Sequence, residues 1–576
     1  MTSIIYTTKE QIAGLLKAAF QKALEAGDIK NTADLNEPFV ELTKDRANGD
    51  FASNFCLTNS KKLCMNPRAL ADALQKHVDF SGSYIEKLEI AGPGFLNFFV
   101  KPCYFMDAME LVQKSGQDFG SIPDGNGVKV LVEFVSANPT GPMHLGNARG
   151  GVLGDTLASL LSKAGYDVSR EFYVNDAGNQ VALFGKSLKA RYLQHFKGED
   201  AIPFPDDGYH GDDIKETAEA FIALHGDAYA EDCGEAAVQE MIAFGLERNL
   251  QKMKTDLAQY KVTYDTWFLE SSLHKSGAAK RTVQMLEKNG YTYTLDGATW
   301  LRLSDFYEEA SALSEEEKRE YDEVLVRSNG FFTYFAVDLA YHLNKFTERN
   351  FDIAIDILGA DHHGHTLRFA KALTPIGVQT ERLEFVLMQL VRLLRGGEMV
   401  RMSKRTGKAI TLSNLLEEIS VDAARFFFNS RASNTHLEFD LDLAVREDSE
   451  NPVYYVQYAH ARIMTLLSKM AEEGKPLPAF DKSLFASLET PEELALMQMI
   501  NTFPEEIRQG AKEREPARLT RYSIDVASCF HSFYNACNIK NSPPELFAPR
   551  MLLTKITGDL LKNILDMLKI TAPERM

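Results

Sequence analysis

Apolar and polar positions follow three successive regimes along the chain. In "TTKEQIAGLLKAAFQKALEAG" the apolar Ile12, Leu15, Leu16, Phe20 and Leu24 recur on one helical face, Thr8 and Gln11 have capping-box spacing, and Gly27 stands where a helix would stop. That spacing predicts an amphipathic helix. The run "FLNFFV" after Gly92-Pro93-Gly94 reads as a strand, and "SIPDGNG" at 121–127 as a linker. A small α+β domain over 1–115 is expected.

The second regime alternates strands and helices. "VKVLVEFV" reads as a buried strand, Asn138-Pro139-Thr140-Gly141-Pro142 as a loop, "ARGGVLGDTLASLLSKAGY" as a helix and "YDVSREFYV" as a second strand. This is a βαβ unit, so a parallel sheet is expected over 124–445. From about 190 to 290 the pattern is mostly helical and reads as an insertion; strands resume at "ATWLRL", at "EVLVRSNGFF" with an Asn-Gly turn, and at "FDIAIDILGAD". From about 450 to 576 only helical periodicity remains, which predicts an all-α bundle. The fold class expected is multidomain α/β.

Composition changes this picture little. The 576 residues are 45% hydrophobic and 25% charged, and no apolar run reaches the length of a membrane span. The first residues lack a basic stretch followed by an apolar one, so a cytoplasmic location is expected and no membrane partner. Cysteines 56, 64, 103, 233, 529 and 537 form no CxxC, which argues against a thiolate zinc site or a disulfide framework. Charge is more informative. Residues 199–240 hold 13 acids against one base, Lys215, so most of the net −18 sits there. From Pro452 onward 15 bases balance 15 acids, with Arg508, Lys512, Arg514, Arg518 and Arg521 clustered. A polyanionic partner stays open.

The candidate chemistry starts at "VEFVSANPTGPMHLGNARGGVLGDTLA". It matches neither GxGxxG nor GxxxxGK[ST], which removes the dinucleotide fingerprint and the P-loop. What is left is His144 at the mouth of a helix whose free N–H groups attract anions, with Gly141 and Gly146 permitting close backbone approach. A phosphate suits that position, and the histidine can donate to charge developing on it. Alone, it reads more readily as an ordinary polar residue or cap. A second segment, "RLLRGGEMVRMSKRTGKAI", sets Arg392, Arg395, Arg401, Lys404, Arg405 and Lys408 against one acid, Glu398. Tyr334 and Asp338 are four apart on one helical face, where a carboxylate beside a phenol suits a planar guanidinium; as a pair they also fit a surface hydrogen bond. In "DHHGH", Asp361, His362 and His365 follow a predicted strand at the end where ligands of open α/β sheets bind. No complementary cluster for a metal is evident.

"HLGN" and "RMSKR" resemble, in order and spacing, the His-Ile-Gly-His and Lys-Met-Ser-Lys-Ser signatures of class I aminoacyl-tRNA synthetases. With "SANPTGPMHLGNARG", "YVNDAGNQ", "VLVRSNGFFTYFAVDLAYHLNKF", "GADHHGH", "DAARFFF" and "NPVYYVQYAHAR", the whole chain resembles the arginyl-tRNA synthetases. The resemblance implies an N-terminal tRNA-contacting domain, a Rossmann-like catalytic domain and a helical anticodon-binding domain entered through Asp422 to Arg425. It implies activation of L-arginine by ATP with Mg2+ and transfer to the 3′-terminal adenosine of tRNA(Arg), by a monomer without a tightly bound metal or prosthetic group. Catalysis falls to His144, Asn147, Arg401, Lys404 and Arg405. ATP falls to Pro139, Gly141, His144, Gly146, Asn147, Asp361, His362, Met402, Ser403 and Lys404. Arginine falls to Glu133, Ser136, Asn138, His144, Tyr334, Asp338 and Asp361, with Glu133 and Asn138 around its α-amino and carboxylate end. Tyr454, Tyr458 and Arg462 fall to tRNA, with part of the tyrosine stripe left to the core. From the residues alone, Glu133 also reads as a lone charge on an edge strand.

Three positions depart from the pattern. Asn147 replaces the second histidine of the first signature and preserves a neutral donor. Arg401 and Arg405 replace the outer lysine and a serine of the second. Thr294 stands where an acid is expected near the arginine pocket. Other readings are a stand-alone nucleotidylyltransferase, which needs no large helical C-terminus, a cysteinyl synthetase, whose thiolate zinc ligands find no counterpart, and a silent tRNA-binding paralogue.

Overall fold

A computed structural model describes residues 3–400 and 410–576, the side chain of His365 excepted. Arg401, Met402, Ser403, Lys404, Arg405 and Lys408 therefore lie outside the described residues.

The N-terminal helix spans Ile4–Glu25, one turn longer than its capping-box spacing predicts. Ser3 caps it, accepting from Tyr6 N at 3.0 Å, while Thr8 is buried inside the helix and donates to Ile4 O at 2.7 Å. Gln11 accepts instead from Tyr84 N at 3.0 Å. A cap residue was available one turn earlier, and starting there buries Ile5 along with Ile12 and Leu16. Gly27, at φ +78°, ends the helix as expected. Four antiparallel strands, β1 (Val40–Leu42), β2 (Phe51–Ser53), β3 (Ile85–Ala91) and β4 (Phe95–Val100), complete this domain in the order β1-β2-β4-β3.

The chain then builds a parallel sheet from β5 (Lys129–Glu133), β6 (Asp167–Val174) and β7 (Thr266–Leu269). It next makes a separate antiparallel sheet of β8 (Thr292–Leu295), β9 (Ala298–Leu301) and β10 (Glu323–Val326), and returns with β11 (Ile353–Gly359) and β12 (Leu383–Met388). The parallel sheet is ordered β12-β11-β5-β6-β7. Its connections turn in opposite directions from β5, so a switch-point crevice opens between the carboxyl ends of β5 and β11.

Three expectations need correction here. The stretch 190–290 is not one helical insertion, because β7 returns to the parallel sheet within it. The helices Asn179–Lys197, Asp212–His225 and Glu235–Gln259 form the excursion, sharing a core of Phe184, Leu188, Ile214, Phe221 and Met241. The strands at "ATWLRL" and "EVLVRS" do not extend the parallel sheet; β9 pairs antiparallel with β8 and β10 with β9, over a core that includes Leu301, Leu325 and Leu339 and reaches Ala354 of β11. And β5 is the middle strand, so Glu133 is no edge charge.

A three-stranded sheet of β13 (Val391–Arg395), β14 (Glu398–Val400) and β15 (Leu437–Asp440) precedes the helical bundle, which begins at Pro452. Four of the clustered arginines meet acids of the protein itself. Arg508 pairs with Asp124 at 2.7 Å, Arg514 with Glu384 at 2.8 Å, Arg518 with Glu506 at 2.9 Å and Arg521 with Glu515 at 2.8 Å. The first two join the bundle to the catalytic domain. Lys482, at 2.9 Å from Asp107 and 2.8 Å from Glu110, joins it to the N-terminal domain.

Candidate active site

The helix Leu145–Lys163 rises from the end of β5, with His144 as its N-cap residue. Asn147 Oδ1 accepts from the His144 amide at 2.9 Å, so the residue that departs from the family signature serves the helix start, and only its Nδ2 is left to donate to a ligand. His144 itself is exposed. Among the described residues, a Cβ on Gly146 would meet nothing within 4 Å, and one on Gly141 only the Asp213 carboxylate at 3.8 Å. Protein packing does not require these glycines, and the space beside them is open to a ligand. Gly154 is the opposite case: a Cβ there would fall 2.1 Å from Phe134 Cγ, so it sets how closely the helix lies on β5.

The turn after β5 is strained. Val135 at φ +71° and Ser136 at φ +44° both occupy left-handed backbone, which costs a β-branched residue roughly 1–3 kcal/mol. The turn swings Ser136 back so that its hydroxyl donates to Glu133 Oε1 at 2.9 Å and accepts from Tyr173 N at 3.2 Å. Asn138 bonds Gln180 through its amide, and Pro139 O accepts from Asn249 at 2.9 Å. Thr411, seven positions beyond Lys404, forms a β-bridge with His144, reinforced by Leu412 N donating to Met143 O at 2.9 Å. The chain just after the second signature is thereby tied to the first.

A second set of groups lies under the helix Tyr334–Leu343. Tyr334 is exposed and stands over Gly178, where a Cβ would come within 3.1 Å of its hydroxyl. Asp338, on the same helical face, is half-buried, and its carboxyl is pushed up to about 8 by burial first and then by Glu133 and Glu270. Glu133 is buried at the deep end, its Oε2 2.6 Å from Lys345 Nζ and 2.9 Å from the Tyr341 hydroxyl. Its charge is felt by Asp338. Glu171 and Arg349 form a bidentate pair behind it.

Tyr334, Val337, Gly178, Glu270, His274 and Arg327 line part of a cavity of about 700 Å³; Asp338 follows Val337 on the same helix, and neither it nor Glu133 is part of the lining. Glu270 was missed by the sequence reading. It is 3% exposed, follows β7 at its carboxyl end, and accepts from the Tyr173 hydroxyl at 2.9 Å. It supplies the acid that Thr294, exposed on β8 and away from the cavity, does not. The signal was a short apolar run ending in Glu, obscured by the helical pattern around it. Asp361 and His362 do stand at the carboxyl end of β11, exposed, but neither lines this cavity.

In the bundle, Tyr454 and Tyr458 stack with centroids 6.3 Å apart on one face of the helix Pro452–Glu472. Arg462 donates to the Tyr458 hydroxyl at 2.9 Å and lies 4.8 Å above its ring. Tyr455 packs into the core, so the stripe is divided between core and surface.

Three family models match in succession: an arginyl tRNA synthetase N-terminal domain at 10–100, a catalytic domain of class I (R) tRNA synthetases at 111–446, and a DALR anticodon-binding domain at 456–576. The chain is 48% identical to the arginine–tRNA ligase of Acetivibrio thermocellus and 47% identical to that of Caldanaerobacter subterraneus, each over all of both chains. Among solved structures it is similar to a putative arginyl tRNA synthetase from Campylobacter jejuni (TM-score 0.73, 30% identity, 83% of this chain and 100% of that one). The Thermus thermophilus arginyl-tRNA synthetase, at 21% identity and a TM-score of 0.72 over 99% of this chain and 100% of that one, shares the fold.

Proposed function

The chain belongs to the arginyl-tRNA synthetases, a class I family, and from that premise we propose how its residues divide the work. It is an ATP-dependent arginine–tRNA ligase: the carboxylate of arginine attacks the α-phosphate of ATP, pyrophosphate leaves, and the arginyl group passes from the adenylate to tRNA. In our assignment Glu133, Asp338, Glu270 and Tyr334 receive the guanidinium, with Ser136 and Asn138 toward the other end of arginine. His144, with the open backbone at Pro139, Gly141 and Gly146 and the amide of Asn147, holds the ATP phosphates; Asp361 and His362 serve the adenosine end. Arg401, Lys404 and Arg405, with Met402 and Ser403 between them, stabilise the departing pyrophosphate. Mg2+ arrives on ATP as part of that substrate and neutralises phosphate charge. Tyr454, Tyr458 and Arg462 contact tRNA(Arg), the N-terminal domain (1–115) supports it, and the bundle (450–576) reads its anticodon. The acidic excursion borders the phosphate loop at Asp212, Asp213 and Glu216, beside Gly141, and is placed away from tRNA; the enzyme works as a cytoplasmic monomer.

The observation that carries this reading is the acidic floor at the switch point beside a helix N-terminus: a site for a cation next to a site for an anion. ATP–pyrophosphate exchange with each amino acid, with and without tRNA, tests it; exchange with arginine alone among them is expected. Lys404→Ala should lose about 2–4 kcal/mol of transition-state stabilisation in the same assay with tRNA affinity little changed. Unchanged aminoacylation would remove the second signature from the mechanism.

The raised Asp338 carboxyl gives a pH dependence with a defined sign. Arginine stays cationic throughout, so binding to the ionised carboxylate must displace a proton below about pH 8 and none above it. The arginine KM should therefore rise as pH falls below that value, approaching about tenfold per unit, and level off above it. A KM constant from about pH 6.5 to about 9 would mean that Asp338 does not meet the guanidinium.

A further inference from the structure

Beyond Leu343 the pocket helix continues as a π turn over Asn344–Glu348, and within that turn Lys345 is completely buried. Its ammonium lies 2.6 Å from Glu133 Oε2 on β5 and 2.9 Å from Asp356 Oδ1 on β11, bridging the two strands that flank the switch point. On its own helix it faces His342 Nε2 at 3.4 Å and the Tyr341 ring at 4.3 Å. His342 in turn contacts Asp356 Oδ2 at 2.8 Å. The Tyr341 hydroxyl, with one proton to donate, lies between Glu133 at 2.9 Å and Glu171 of β6 at 2.5 Å.

A lysine taken wholly out of water is a costly way to join two strands, and an apolar side chain would fill the volume at less expense. The bridge does something that an apolar side chain cannot. Burial pulls the Lys345 ammonium toward neutrality, but Asp356, Glu133 and Glu171 outweigh burial and hold it charged, at about 12. Asp356 is likewise held well below the usual carboxylate range: burial opposes its charge, and Lys345 and His342 overcome that. Oxygen by oxygen, Glu133 Oε2 is filled by Lys345 and Tyr341, and Ser136 takes one side of Oε1. One lone-pair direction on Oε1 is left for a substrate.

We propose that Lys345 is a positioning residue for arginine selection, a buried ammonium that holds Glu133 turned so that its Oε1 can accept from the guanidinium. This rests on the assignment of the guanidinium to Glu133 and Asp338. Without the ammonium, Glu133 sits among Asp338, Glu171, Asp356 and Glu270 with no cation to hold it, and Asp338 loses the charge that lowers its carboxyl, so the floor distinguishes arginine less from its neutral isostere citrulline. Lys345 touches no substrate; it acts through Glu133.

Lys345→Met alone leaves two buried carboxylates without their cation and is prone to misfold. The informative protein is the full-length Lys345→Met/Asp356→Asn double variant, which removes one charge of each sign and leaves an amide oxygen on β11 able to accept from His342. Arginine-dependent ATP–pyrophosphate exchange with tRNA is measured across pH, beside the parent and Asp338→Asn. For the double variant the arginine KM should rise about tenfold or more while the ATP KM and kcat stay within about twofold. The pH below which arginine binding weakens should move upward, and the preference for arginine over citrulline should shrink. A parent-like arginine KM and pH profile in a folded double variant, with Asp338→Asn impaired, would reduce Lys345 to a structural core residue. If neither variant alters the arginine KM, the location of the arginine pocket itself is wrong.

Discussion

Asp338→Asn is expected to reduce arginine activation by about 3–5 kcal/mol, roughly 10² to 10⁴ in kcat/KM, while leaving the ATP KM close to that of the parent. The substitution hardly changes volume, so the loss measures charge. The guanidinium offers only donors, and its removal from water is offset only by acceptors that carry charge. An asparagine presents one neutral acceptor and adds a donor that the guanidinium repels. Glu133 and Glu270 remain, which keeps the loss short of complete. Lysine should stay a poor substrate in both proteins, since a point ammonium cannot make the planar bidentate contact of a guanidinium.

The same variant separates function from stability. Asp338 binds its proton more tightly in the folded chain, at about 8, than in the unfolded chain, at about 3.9. The stability it brings is therefore complete below the unfolded value and lost as pH rises through the folded one. At pH 8 and above, the asparagine variant should be at least as stable as the parent, although less active. Retained arginine preference in the variant would assign the guanidinium to Glu133 and Glu270 and leave Asp338 a helix residue.

How much of this was legible in the sequence depends on how local each signal is. The βαβ unit around His144 was readable because one strand, one loop and one helix with their own caps lie within 50 residues of sequence. The tyrosine stripe was readable because residues four apart share a helical face. β7 was not: four residues carry too few alternations to outweigh the helical pattern before and after them, and Glu270 was lost with it. Lys345 was invisible for another reason. Its partners Glu133 and Asp356 come from two different strands, and a charged residue in a helical stretch defaults to a solvated face. The pairing of the arginines from 508 to 521 was equally invisible, because a count of bases says nothing about the acids that the fold brings beside them.

Arg425 should give the largest loss of stability. It is completely buried in the helix Val421–Phe428, and its guanidinium ties three separate stretches of chain. Nε donates to Leu568 O at 2.7 Å, Nη1 to Tyr260 O at 3.0 Å and Lys261 O at 3.2 Å, and Nη2 to Asp155 Oδ2 at 2.6 Å. Asp155 belongs to the helix that begins at His144, and Leu568 follows the last helix of the bundle. Arg425→Met would strand a buried carboxylate and three carbonyls, a class of change that costs about 3–5 kcal/mol. Lys569, at 2.7 Å from the other Asp155 oxygen, keeps that carboxylate from being wholly uncompensated, which favours the lower end of the range. Arg425→Lys should recover little, because an ammonium retains the pairing with Asp155 but cannot reach all three carbonyls. The bundle should also lose its hold on the His144 helix, so tRNA-supported exchange should fall even at temperatures where the variant remains folded. Urea unfolding followed by separate probes for the catalytic domain and the bundle checks both claims, since a chain of this size need not unfold in one step. Parent-like midpoints from both probes would mean that the ties through Asp422, which accepts from Lys261 at 2.9 Å and Thr571 N at 3.0 Å, hold the junction without Arg425.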